Sequence, residues 1–238
     1  MQLFRLLIAI HAFAGTVALI AGAAAYATRK GDLHHRRAGK AFAFGMFGIV
    51  ITTLMILVTR PSAELLVQAV LSTFLVISGW RAVAERAARA RAIDWAHTTV
   101  CGVAAATILA WSILTMNVEV IILAAITLYL TTRDLVLFRR GGWYGNRLQR
   151  HAAAFGGALL GASVAFAAVL VRRYPSLTWW TLLVPIVVLV PTMLIWRARL
   201  APRQSADFRR VSTNDTGTSL AMRCETSSAS QFVSRTQP

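Results

Sequence analysis

Of 238 residues, 57% are hydrophobic and 14% charged, where ordinary soluble domains carry about 25% charged residues. A water-soluble fold of this composition would expose large apolar patches and aggregate, so soluble enzymes and binding modules are excluded in favour of membrane helices. The formal net charge of +16 does not indicate nucleic acid. The basic residues lie between apolar runs rather than on one face or in a motif, and that is where orientation in a bilayer needs them.

Runs of about 17–25 mostly apolar residues are long enough to cross the hydrocarbon core. Seven are present, at Leu3–Ala27, Lys40–Thr59, Ala63–Trp80, Trp95–Met116, Val118–Phe138, His151–Val171 and Leu177–Trp196. They predict an all-α, polytopic transmembrane bundle of seven helices over residues 1–200. Residues 201–238 are rich in Ser, Thr, Gln and Arg without apolar periodicity, and a segment of that kind is expected to be a disordered basic tail.

Lysine and arginine sort by connection. The exceptions on one side are Arg5, Arg60, Arg172 and Arg173; the rest of the 25 Lys and Arg fall in the first, third and fifth connections and the tail. This asymmetry predicts the N-terminus outside and the C-terminus in the cytoplasm, in the cytoplasmic (inner) membrane of a bacterium, with the tail arginines against anionic lipid. Trp80, Trp95, Trp143, Trp179, Trp180 and Trp196 all fall at or just beyond a predicted helix end, the depth that half-buried indole rings prefer. Ala25-Tyr26-Ala27 looks like a small-residue cleavage site. Against a signal peptide, the apolar run is longer than an h-region and its charged flank follows the run instead of preceding it.

Chemistry centres on five histidines. His11 lies eight residues beyond Leu3, roughly 12 Å into the bilayer, and shares a stripe with Gly15, Ala18 and Gly22. Small stripes let helices approach closely, so His11 is expected to point into the bundle. There it serves either as a structural hydrogen-bonding group or as a ligand or proton-relay group of a small-solute or proton transporter. His34, His35, His97 and His151 share the cytoplasmic level. They offer axial ligands for a b-type haem or a transition-metal site, and the plainer alternative is helix capping or contact with lipid headgroups. Arg133 and Asp134 end the fifth helix with Tyr129 one turn earlier. They can line a substrate path, or form a snorkelling arginine beside an acid. Cys101 and Cys224 make neither a disulfide framework nor metal-ligand spacing, and no hydrolase, phosphate-loop or zinc-protease motif is present.

Two short patterns carry a family likeness. His11-x3-Gly15-x2-Ala18-Leu19 in the first helix, followed by Lys30-Gly31-x2-His34-x-Arg36-Arg37-x-Gly39-Lys40 and Met46, resembles a group of bacterial multi-pass membrane proteins catalogued with a domain of unknown function. The resemblance is best over residues 1–60 and looser through His97 and His151. It implies a histidine-containing helical bundle without an assigned activity. The extra His35 departs from the pattern and leaves open which of the adjacent histidines matters.

Overall fold

The computed structural model describes residues 2–84, 90–141, 147–174 and 176–195. Met1–Ile195 forms one compact unit. The expected disordered tail therefore lies outside the described residues, as do Trp143 and Trp196.

Six helices are long and apolar enough to cross a membrane: α1 (Gln2–Ala27), α2 (Leu33–Thr59), α3 (Ala63–Ala84), α4 (Ala92–Leu114), α5 (Val118–Arg139) and α6 (Arg147–Arg173). A shorter apolar helix, α7 (Trp180–Ile195), opens with a 3-10 turn at Trp179–Leu182. No strand occurs among the described residues. The all-α bundle is thus the observed fold, with a seventh helix that begins later than the expected Leu177.

The longest departures from the predicted spans are at one end of the bundle. α2 begins at Leu33 rather than Lys40, α3 continues to Ala84, α4 begins at Ala92 and α6 at Arg147. Hydropathy measures the thickness of the hydrocarbon, whereas helix length is set by backbone hydrogen bonding and caps, so basic turns extend the helices past the apolar segment. At α2 the stop is well defined. Gly31 takes a positive φ of 85°, a conformation that costs glycine little, and Asp32 then caps the helix by accepting the Leu33 N–H at 2.7 Å. That bond, followed by His34, holds the Asp32 carboxyl below its ordinary range. At the other end of the preceding helix, Lys30 Nζ donates to the carbonyls of Ala25 at 3.0 Å and Tyr26 at 2.5 Å, closing α1 with the positive charge its C-terminus favours. Partial burial lowers the Lys30 pKa.

α1 packs along α2 and α4 along α5, two antiparallel hairpins, while α3 lies against α6, far away in sequence. One core joins Ala18 of α1, Phe42 and Met46 of α2, Phe74 and Leu75 of α3, and Ala158 and Leu159 of α6; a smaller one joins Val67, Ile108, Val120 and Ala124 across α3, α4 and α5. Because lipid tails are as apolar as leucine, close van der Waals fit must replace the hydrophobic drive between these helices. The α1–α2 seam provides that fit. A Cβ placed on Gly45 would lie 2.9 Å from the Ala18 backbone nitrogen and 3.0 Å from the Ala14 carbonyl oxygen, and one on Gly48 would lie 3.0 Å from the Ala14 Cβ.

Substituting Gly45→Ala should force α1 away from α2 and cost about 1–3 kcal/mol, the usual price of overpacking. Gly161→Ala, where nothing lies within 4 Å, should be neutral or slightly stabilising. Thermal unfolding in detergent distinguishes the two, and equal effects would show that the seam is not close-packed.

Candidate functional site

The polar side chains gather where the α1–α2, α3–α4 and α5–α6 connections lie, here called the basic end. Each of these connections is flanked by two antiparallel helices, so residues a few positions before and after it share a depth. Arg81 of α3 and Asp94 of α4 meet this way. Arg81 Nη2 donates to Asp94 Oδ2 at 3.0 Å and Arg81 Nε donates to Oδ1. Asp94 also accepts the Arg91 backbone N–H at 2.9 Å, so one carboxylate both caps α4 and ties it to α3.

Asp134 of α5 is the more deeply committed acid. It is 2% exposed, and Arg150 of α6, itself 6% exposed, donates Nη2 to its Oδ2 at 2.6 Å. Arg133 donates Nη2 to Oδ1 at 3.0 Å, with Nε of the same group 3.4 Å away. The Arg150 guanidinium also lies over the Phe138 ring, 5.0 Å from its centroid. The sequence pair Arg133–Asp134 is therefore part of a three-residue cluster that bridges α5 and α6.

Two histidines come together across α2 and α6. His35 Nδ1–H donates to the Ala25 carbonyl of α1 at 2.9 Å, and His151 Nδ1–H donates to the Gly79 carbonyl of α3 at 2.9 Å. Their ring centroids are 6.5 Å apart with planes at 84°. Gly79 is needed for this placement, because a Cβ there would collide with Phe155, the ring that packs on His151 at 4.7 Å. Since carbonyl oxygens only accept, both imidazoles are protonated on Nδ1, and in their neutral forms both keep the Nε2 lone pair.

The remaining histidines are placed separately. His34 points outward, its side chain 76% exposed and its Nδ1 3.4 Å from Asp32. His97 stacks on Phe74, with centroids 5.9 Å apart and planes at 6°, and its buried Nε2 has no hydrogen-bond partner among the described residues. His11 lies on the α1–α2 seam away from the basic end. Its Nδ1 is 3.0 Å from Thr52 Oγ1, and the Thr52 hydroxyl can give its proton to the Gly48 carbonyl at 2.7 Å, which leaves the histidine as donor. Ala18 and Gly22 of its stripe are buried.

Thus the basic end unites His35 with His151 and Asp134 with Arg133 and Arg150. Among the described residues no group of three or more His, Cys, Asp or Glu side chains is placed to hold a metal ion. Reading the sequence missed Arg81, Asp94, Arg150 and the carbonyl partners Ala25 and Gly79. The two arginines carry a signal in retrospect, since each stands across a connection from an acid at a matching depth. No family model matches the chain, and neither a curated protein nor a solved structure does.

Removing one partner of a buried ion pair leaves the other charge uncompensated and costs about 3–5 kcal/mol. Asp134→Asn should approach that range in thermal or denaturant unfolding in detergent. His11→Ala, which removes one interhelical hydrogen bond, should cost about 1 kcal/mol. A loss below about 1 kcal/mol for Asp134→Asn would show that its carboxylate does not hold Arg150 in the bundle.

Proposed function

We propose that this protein is a membrane redox protein in which His35 and His151 would hold a b-type haem. The observation that carries the reading is that both imidazoles spend Nδ1–H on backbone carbonyls of neighbouring helices. Metal-ligating histidines typically have this second partner, which fixes ring orientation and raises the basicity of Nε2. The two rings stand 6.5 Å apart, edge to face, so one group could be held between them. Gly39, one turn after His35, has nothing within 4 Å of a Cβ position, leaving room beside the ligand. Lys30 Nζ shares the Ala25 carbonyl with His35, and a positive charge there suits a cofactor bearing carboxylates better than a bare dication.

When bound, haem supplies one-electron chemistry. The chain's own residues would fix ligand direction through Ala25 and Gly79, and Phe155 would exclude lipid and water from one side of His151. The His11–Thr52 pair lies apart from this centre, which favours the structural alternative for His11. We also infer that the basic end faces the cytoplasm of a bacterial cell, because lysine and arginine concentrate there, and that the chain belongs with the multi-pass proteins it resembles in its first two helices.

Protein purified in detergent from haem-replete cells should show a Soret band. The band should be lost in His35→Gly and His151→Gly, recovered on adding imidazole, and retained in His34→Ala. Colourless protein carrying a stoichiometric transition metal would assign the same nitrogens to a bare ion instead, and colourless, metal-free protein would overturn the reading. Reporter fusions should place the α3–α4 connection in the cytoplasm; an external signal there would reverse the orientation.

A further inference from the structure

Away from the imidazole pair, α5 borders a groove of about 500 Å³ that opens on the outer surface of the bundle. Leu109 of α4 with Ala125 and Leu128 of α5 line it farther from the basic end, and toward that end it is lined by Tyr129, Thr132 and Arg133. Tyr129 is 67% exposed and the Arg133 side chain 39% exposed. Arg133 stands six residues before the end of α5, roughly 9 Å along the helix, within reach of the headgroup layer for a side chain that snorkels.

Charge decides what the groove takes. Asp134 is one carboxylate set against two guanidinium groups, and Arg150 is the closer and more buried partner, at 2.6 Å against 3.0 Å. Two guanidinium groups thus share the one Asp134 carboxylate, and Arg133 is the one that meets the groove. Arg133 uses only Nε and Nη2 toward Asp134, so Nη1 makes no hydrogen bond to protein among the described residues. An arginine in such a place is stabilised by a phosphate, which accepts its remaining donor and cancels the charge.

We propose that the groove is a binding site for an anionic phospholipid of the leaflet at the basic end. The lipid phosphate pairs with Arg133 and the Thr132 hydroxyl. The Tyr129 ring flanks the ester region, and one acyl chain runs past Leu128 and Ala125 toward Leu109. A zwitterionic lipid brings its own cation up to Arg133, so the site selects for anionic headgroups.

The test is retention of phosphatidylglycerol against phosphatidylcholine by delipidated protein in detergent, read by native mass spectrometry. Wild type should retain phosphatidylglycerol preferentially. Arg133→Gln should weaken that retention about fivefold, the effect of one cation near a lipid surface, while Arg140→Gln at the same helix end should not. Asp134 keeps Arg150 in the first variant. Ala125→Trp, which fills the groove without altering charge, should also abolish the preference. Equal losses in Arg133→Gln and Arg140→Gln, an undiminished preference in Ala125→Trp, or no preference in wild type would each overturn the proposal. Displacement of the lipid by millimolar inorganic phosphate would reassign the site to a free anion.

Discussion

A guanidinium group left without a counter-charge inside a lipid-embedded bundle is costly, and the basic end is organised around meeting that demand. Asp94 faces Arg81, and Asp134 faces Arg150 and Arg133. Each pair joins consecutive helices across a connection, α3 to α4 and α5 to α6. Since α3 also packs on α6, the two ion pairs close a chain of contacts through four helices. The apolar cores above them add packing but little drive toward association in lipid, so these charges give the helices a fixed relative depth.

That fixed depth is what brings the histidines into register. His151 reaches the Gly79 carbonyl only because α6 lies close against α3, and the missing side chain at Gly79 makes room for Phe155. His35 reaches Ala25 only because α1 and α2 are pressed together over Gly45 and Gly48. Small residues and ion pairs, none of them reactive, therefore determine where two imidazole lone pairs sit.

The transmembrane class, six long helices and the inward-facing side of α1 were legible in the sequence, because they rest on local quantities: run length, hydropathy and the spacing of small residues. The stripe His11, Gly15, Ala18 and Gly22 identifies the contact face of α1, and the His11–Thr52 bond lies on it. What was not legible depends on pairs. Arg150 and Arg81 read as loop charges in a hydropathy count, although both lie inside helices with buried acids as partners. The adjacent His34 and His35 have the same composition signal, and only the rotation of α2 about its axis turns one outward and the other toward α6. The start of α2 at Leu33 instead of Lys40 is the same lesson in length, since hydropathy marks where lipid ends and not where hydrogen bonding does.

The direct neighbour of Asp134 in the chain has a bearing on biogenesis. A ribosome releases Arg81 before Asp94, so the first acid meets a cation already made. Asp134 emerges 16 residues ahead of Arg150 and would enter the insertion machinery as a lone carboxylate were Arg133 not beside it. In the folded chain that adjacent arginine keeps hold of one carboxylate oxygen while Arg150 takes the other, so the acid has a counter-ion within its own helix as well as across the connection.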